Sequence, residues 1–571
     1  MTRSLFLSLG LSLCSLAGPA ASAAAPPHVI LIMTDDQGYG DFGALGNPVL
    51  DTPHFDRLAE ESARLTNFYV SPVCSPTRAS LLTGRYAYRT RVVDTWRGRS
   101  MMEPDEVTVA EVLAAQGYAT GIFGKWHLGD NFPLRPSEQG FQESFIHRGG
   151  GLGQPSEPIE NNRRYTDPIL FHNNTQVETE GYCTDLYFEA SFEFIEESLA
   201  AGRPFFAYIA PNAPHSPYHD VPEALYQKYA NRDLSPILEG HSQDADTVAR
   251  VFAMIENIDA NLGRLFEVLE RHGIARDTLL LYLNDNGPNT RRFVGPFRGK
   301  KGEVHEGGIR SPLWLRWPER LEAGAFSDRI AAHIDVMPTI LEATGAALPE
   351  GVALDGRSLL PLLTQAEVSW PDRELIIQAH RGDTPQAGHH MMIRNQRWKL
   401  LRASGFANER PDPAIPFELY DLQNDPGESQ NLLLSEPEIA KELEARYHAW
   451  FAEVSSTRPD NYAPPRMHLG ATQPELVLTW QNRRGNRNAY HWLLEVMDAG
   501  RYEIELRWKE PTEVEAILFQ VGTQTIEQPA ASQVERAVLG SLSLEAGPLD
   551  LGMQAAKGDL PYFVILRRLG D

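Results

Sequence analysis

Cys74-Ser75-Pro76-Thr77-Arg78 places a thiol where an extended segment, Phe68 to Pro72, gives way to a helix. Thr77 to Thr83 carries helix formers, Pro76 suits a first turn, and Gly84 stands where a helix end takes a left-handed residue. Unpaired N–H groups and the positive dipole end favour an anion at such a helix start. Arg78, one turn on, is expected to point to the same spot. By residue type alone the cysteine is either a buried structural thiol or a thiolate with a depressed pKa.

Other segments carry matching chemistry. Asp35 and Asp36 come directly after the apolar run His28 to Met33, and adjacent carboxylates gain most from a cation between them. Asp285 and Asn286 succeed Thr278 to Leu283 in the same way. Lys125 and His127 succeed Tyr118 to Phe123; alternation in an extended segment predicts that both face one side, as an anion site with a proton carrier. His215 comes after Arg203 to Ala210, in a loop stiffened by Pro211 and Pro214. Lys301 lies in a glycine-rich stretch, Phe297 to Gly308, where backbone approaches a ligand closely and a lysine supplies point charge.

The elements that must position these groups are legible as a pattern. The four apolar runs read as buried strands. Helices are predicted over 54–65, 108–116, 182–199 and 248–272. Alternation of this kind predicts an α/β fold with a mostly parallel sheet sandwiched by helices. Ligands bind at the C-terminal edge of such a sheet, where all five polar segments emerge. Residues 374–455 read as short strands and then a helix. After a Pro- and Ser-rich break, Ser455 to Pro465, residues 466–571 read as an all-β module with strands at 475–480, 500–508, 516–521 and 563–568.

Cys-x-Pro-x-Arg continuing as Ala-Ser-Leu-Leu-Thr-Gly-Arg resembles the signature of the type I, formylglycine-dependent sulfatases. Thr-Asp-Asp-Gln-Gly, Gly-Lys-Trp-His-Leu-Gly, Asn-Asp-Asn-Gly and Lys-Gly-x-x-x-Glu-Gly-Gly resemble further motifs of that family, in family order, over residues 28 to about 455. The resemblance implies an alkaline-phosphatase-like catalytic domain over 26–373 and a smaller α+β subdomain over 374–455. It implies oxidation of Cys74 to formylglycine by a maturation enzyme, and one Ca²⁺ on Asp35, Asp36, Asp285 and Asn286 together with residue 74. It further implies Arg78 as stabiliser of the formylglycine hydroxyls, Lys125 and Lys301 on the sulfuryl oxygens, His215 as acid to the leaving alcohol and His127 as base. A further polar residue that some sulfatases place after the Lys-x-His motif has no match; Gly149-Gly150-Gly151 lies about there. The implied activity is hydrolysis of sulfate esters of carbohydrates. The rivals are a phosphate or phosphonate monoester hydrolase of the same fold and a non-catalytic glycan-binding protein.

A chain of 571 residues calls for more than one domain. The net charge of -24 argues against nucleic acid or an anionic membrane as partner. Residues 1–25 read as a signal peptide with an apolar core too short to span a bilayer, so the expected location is secreted or periplasmic, with no membrane contact after signal removal. Conversion of Cys74 leaves Cys183 single and forbids a disulfide. The Asp94 to Arg99 segment, Gly149 to Pro158, His380/Arg381 and His389/His390 are candidates for a sugar pocket. The β module reads either as carbohydrate-binding or as a structural cap.

Overall fold

The computed structural model describes residues 26–238, 241–364, 369–456, 462–485, 490–554 and 560–569. The signal-peptide reading of residues 1–25 lies outside them.

Eleven strands build the main sheet: β1 (His28–Thr34), β2 (Ala63–Tyr69), β3 (Ala119–Lys125), β4 (Glu143–His147), β5 (Ile169–His172), β6 (Thr175–Glu178), β7 (Phe205–Ala210), β8 (Thr278–Asn284), β9 (Arg310–Arg316), β10 (Phe326–Ser327) and β11 (Ala331–Ala332). Their order is β10-β2-β9-β8-β1-β7-β3-β4-β5-β6, with β11 beside β2. The four apolar runs are the adjacent centre, β8-β1-β7-β3, all parallel. Strand β9 is antiparallel to both β8 and β2.

These central strands are continuous apolar runs because both faces are covered. Val29, Leu31 and Met33 enter one core with Leu81, Leu82, Val109 and Ile340, while Ile30 and Ile32 enter the other with Phe188, Phe252 and Ile255. Helices Cys183–Ala200 and Ala245–Arg271 thus cover one face, and Cys74–Thr83, Val109–Ala115 and Val336–Thr344 the other. The helix expected over 54–65 spans only Pro53–Glu61; Ala63 onward is β2, because Leu65 and Phe68 pair with β9.

Strands β12 (Leu375–Gln378), β13 (Met391–Arg394), β14 (Trp398–Arg402) and β15 (Glu418–Asp421) form an antiparallel sheet covered by helix Pro437–Ser455 through Ala440, Leu443 and Tyr447. A buried ion cluster ties this sheet to the main one. Glu306 accepts from Tyr69 Oη at 2.7 Å, Arg310 Nη1 at 2.8 Å and Lys399 Nζ at 2.9 Å. Lys399 also meets Glu428 at 2.7 Å, and Glu428 accepts the Glu306 N–H at 2.7 Å.

The last described segments form two stacked sheets. Strands β16 (Met467–Leu469), β17 (Glu475–Leu478), β18 (Tyr490–Val496), β19 (Gly500–Val514), β20 (Ile517–Val521), β21 (Gln524–Gln528), β22 (Ala531–Leu544), β23 (Gly547–Gln554) and β24 (Phe563–Arg568) order as β16-β18-β23-β20-β21 and β17-β24-β19-β22. They share a core of Trp492, Leu506, Phe519 and Leu566. Met101 and Leu134, from the α/β part, belong to that core, and His468 N–H donates to Phe132 O at 2.9 Å. The sandwich is therefore packed onto the α/β part.

Candidate active site

Helix Cys74–Thr83 is buried along its whole length and ends at Gly84, whose φ of 66° is the left-handed cap expected of it. Cys74 stands in its first turn. The Cys74 thiol donates to Asp35 Oδ1 at 3.4 Å, and Lys301 Nζ donates to Cys74 Sγ at 3.4 Å. Burial, reinforced by the Asp35 charge, pushes the thiol up to about 12. The depressed-thiolate reading therefore fails: desolvation outweighs the cations nearby. Cys74 and Cys183 are both free.

Arg78 does not turn back to Cys74. It donates to Asp285 Oδ2 at 2.9 Å and Lys125 O at 3.0 Å, and lies 3.9 Å from Asp35 Oδ2. Lys125 Nζ donates to Asp35 Oδ2 at 2.6 Å and Lys301 Nζ to Asp36 Oδ1 at 2.5 Å. Asp35, Asp36 and Asp285 are thus met, fully buried, by Arg78, Lys125 and Lys301. Burial raises the Asp36 carboxyl, but Lys301 and His215 outweigh it and hold the group low. Burial and the Asp35 charge together raise Asp285.

Asp36, with φ 64°, and His127, with φ 57°, both hold left-handed backbone, a sparsely populated state outside glycine. For His127 this overturns the alternation argument: β3 ends at Lys125, and the histidine reaches the site through the turn after it. His127 Nε2 lies 3.0 Å from Thr95 O. The Thr95 carbonyl only accepts and the Gln481 amide nitrogen, 3.2 Å from the same Nε2, only donates, so the two contacts favour opposite tautomers; Nδ1 is buried without a hydrogen-bond partner. Burial, then the charges of Lys125 and Arg78, holds this imidazole well below its ordinary range. His215 has no such conflict. Its Nδ1 lies 2.7 Å from Ser216 O, so Nδ1 carries the proton and Nε2 faces Asp36 Oδ2 at 3.8 Å. Burial lowers it to about 3 against the pull of Asp36.

Asp35, Asp36, Cys74 and His215 bring ligand atoms within 4.8 Å of one another. Asp36 Oδ2 and Asn286 Oδ1 are buried with no hydrogen-bond partner. Orphaned anionic and amide oxygens side by side suit a hard cation. Asp285, expected in the same set, has one oxygen on Arg78 and the other on the Asp36 N–H at 3.2 Å.

The glycine loop packs on both histidines. A Cβ on Gly150 would lie 2.8 Å from His127 Cε1, and one on Gly151 3.1 Å from His215 Nδ1. Only glycine permits that approach, and no sequence motif announced it. Of the sugar-pocket candidates, Asp94 to Arg99 and Arg381 come together beside His127: Arg381 pairs with Asp94 at 3.3 Å and lies 4.4 Å over Trp96. His380, His389 and His390 are instead buried structural groups; His390 holds Gly302 O at 2.7 Å, next to Lys301. Thr95 lies in the Asp94 to Arg99 segment named from the sequence, but its carbonyl contact with His127 carried no sequence signal, and neither did Gln481, which touches the same ring.

A family model described as Sulfatase matches residues 27–346, and one described as N-sulphoglucosamine sulphohydrolase, C-terminal, matches residues 299–454. Arylsulfatase A of Homo sapiens is 33% identical over 471 residues, covering 76% of this chain and 86% of that protein. N-acetylgalactosamine-6-sulfatase of Canis lupus familiaris is 34% identical over 396 residues, covering 64% and 71%. The crystal structure of Ps i-CgsB in complex with k-i-k-neocarrahexaose is similar with a TM-score of 0.64 and 26% identity, covering 75% of this chain and 93% of that one. The match runs through every segment that the fold brings to the sheet edge: the chain belongs to the sulfatase family and is a sulfuric ester hydrolase.

Proposed function

We propose that this protein removes sulfate from sulfated carbohydrates, with residue 74 converted to formylglycine by a maturation enzyme and one Ca²⁺ on Asp35, Asp36, Asp285 and Asn286 beside residue 74. One observation carries the reading: the Cys74 thiol is buried 3.4 Å from both Lys301 Nζ and Asp35 Oδ1, next to carboxylate and amide oxygens left without partners. Such a thiol makes sense as the precursor of the reacting group. When present, the cation and the hydrated aldehyde supply charge on the sulfuryl oxygens and a hydroxyl nucleophile.

The chain's own groups do the rest. Lys125 and Lys301 face the position where sulfuryl charge gathers. Arg78 holds Asp285 and the end of β3 in place. His215 has Nε2 available for the leaving alcohol; a bound sulfate ester adds negative charge beside it and restores the proton that burial disfavours. His127, buried and held neutral beside Lys125 and Arg78, would serve as the base towards residue 74.

The substrate class rests on the aromatic and arginine side chains gathered around Trp96, next to Thr95. Trp96 lies edge-to-face with Trp480, ring centroids 5.1 Å apart, and under two guanidinium groups, Arg97 at 4.7 Å and Arg381 at 4.4 Å. A cavity of about 690 Å³ beyond this pair is lined by Trp480, Arg483, Tyr490, Trp508 and Tyr562. Aromatic faces with arginines suit anionic sugars. The carbohydrate-linked names of the dog relative and of the Ps i-CgsB complex agree with that choice. Export, the expected route to such substrates, is part of the proposal; no helix among the described residues is long and apolar enough to cross a membrane.

The test is a screen of sulfated mono- and oligosaccharides, an aryl sulfate and an aryl phosphate, with mass spectrometry of the residue-74 peptide. Sulfate release from saccharides by protein carrying the aldehyde is expected. Turnover of phosphate without sulfate, or an intact cysteine in active enzyme, refutes the reading.

A further inference from the structure

The C-terminal sandwich lies outside both matched family models, yet it packs against the two loops that touch the histidines of the site. We propose that it completes the active site with a second sugar subsite, which takes the unit next to the sulfated one in an anionic oligosaccharide. This rests on the proposed action on sulfated carbohydrates and narrows it. The substrate is a chain of sugars, and the sandwich is neither a tether nor a cap.

The first loop holds Thr95, whose carbonyl lies 3.0 Å from His127 Nε2; the next residue, Trp96, lines the cavity of about 690 Å³. The second loop holds Gly150 and Gly151, close against His127 and His215. Two residues on, Gly153 O accepts from Tyr562 Oη at 3.4 Å, and Tyr562 lines the same cavity. Adjacent Cα atoms are about 3.8 Å apart, and two residues reach at most about 7 Å. The cavity therefore begins on the order of one sugar ring away from the histidines.

Its walls suit that occupant. Trp480, which is 37% exposed, lines it together with Trp508 and Tyr562. Aromatic surface of this kind covers the apolar C–H face of a sugar ring. Arg483 and Lys509 stand on the same walls against one carboxylate, Glu510. A positive balance here, in a chain of net charge -24, selects an anionic unit. The volume falls in the range of about 300–1,000 Å³ that small-molecule sites occupy.

The sandwich is also fixed in place, which a subsite requires and a tether does not. Asn482 Nδ2 donates to Asp130 Oδ1 at 3.2 Å, Asn131 Nδ2 to Val477 O at 2.9 Å, and the Gly98 N–H to Gln481 O at 3.0 Å. Walls held this way lose little freedom when a sugar binds between them.

The experiment uses the full chain with residue 74 converted. It compares kcat/KM on 4-nitrophenyl sulfate with that on chondroitin sulfate and sulfated galactan oligosaccharides of one to six units. A rise of about 10-fold or more is expected once a second unit is present. Trp480→Ala is expected to remove about 10-fold from the longer oligosaccharides, chiefly through KM, and to cost the aryl sulfate about a third of that or less. Trp480→Phe restores most of the loss. Lys509→Gln, at an exposed position, is expected to cost about 3-fold on the anionic oligosaccharides and to weaken their salt dependence. Equal losses on aryl sulfate and oligosaccharide would make the sandwich a cap and overturn the proposal. A profile flat to six units, with any gain confined to polymer, would make it a tether and overturn it too. Calorimetry of the same oligosaccharides on Cys74→Ala reads binding apart from turnover. If the parent chain releases no sulfate, the proposed function fails, and binding decides the subsite alone: affinity that rises with length and is lost on adding Trp480→Ala supports it, and its absence overturns it.

Discussion

Two buried ion clusters lie in this protein, with similar charges and opposite uses. At the sheet edge Asp35, Asp36 and Asp285 meet Arg78, Lys125 and Lys301. Between the two sheets Glu306 and Glu428 meet Arg310 and Lys399, with Tyr69 between them. In the second, Glu306 spends both carboxylate oxygens on partners of the protein itself. In the first, Asp36 Oδ2 and Asn286 Oδ1 have none. Composition does not separate the two clusters; in the first, Asp36 Oδ2 and Asn286 Oδ1 stand together without hydrogen-bond partners, whereas Glu428 Oε1 of the second meets Lys399 at 2.7 Å.

The contrast is sharpest at Cys74→Ala. Turnover is expected to fall by about 1000-fold or more, since the substitution removes the precursor of the reacting group, while the melting temperature moves little. A variant with ordinary turnover would break the assignment.

Asp36→Asn and Glu306→Gln come next, as a matched pair. Asp36→Asn is expected to abolish metal binding and turnover with a small change in stability, because it removes a desolvated charge. Glu306→Gln leaves Lys399 and Arg310 partly unpaired and is expected to cost about 3–5 kcal/mol in denaturant melts, with activity retained per folded molecule. Exchange of the two phenotypes would refute the distinction. Elemental analysis and circular dichroism decide it.

Truncation after Tyr462 separates the two readings of the β module, polymer binding and structural cap. A module that merely tethers polymer leaves an aryl sulfate untouched. Because this module reaches Thr95 and His127, we expect about a 10-fold fall or more on aryl sulfate too, with a lower melting temperature.

The smallest effect concerns acid. His333 and His380 are buried neutral, each lowered by burial to about 4. Unfolded, they titrate near the ordinary histidine value of about 6.5, so the unfolded chain binds more protons between those values. Their stabilisation is fully present above about pH 6.5 and is lost as pH falls towards 4. Each is expected to cost about 2 kcal/mol between about pH 7 and pH 5. Thermal melts of His380→Gln should show a flatter pH dependence by that amount; an unchanged slope would exclude it.

Much of the site was legible because each group succeeds an apolar strand. Asp35/Asp36, Lys125, His215 and Asp285/Asn286 come from four strands that prove to be adjacent, and a parallel sheet sends all its C-terminal ends to one edge. The β module was less legible. Strand β22 is half-exposed, with Gln533, Glu535 and Arg536 outward, and its apolar residues are broken up by polar ones, so no long apolar run marks it. His380, His389 and His390 misled because histidine pairs look like ligand sites, whereas here burial and backbone carbonyls take up their polarity.

Residue identities along the chain were enough to determine the strand–helix alternation, the oxygen-rich donor set at the strand ends and the thiol at a helix start, since these depend on local propensity and on the polar residues placed just past a buried strand. Only the tertiary structure decided the direction of Arg78, the burial of Cys74 and the tautomer of His215. Those depend on desolvation and on partners the fold supplies, as Asp285 is for Arg78 and Lys301 for Cys74. No local pattern encodes such contacts, because each partner is an ordinary residue until the fold places it.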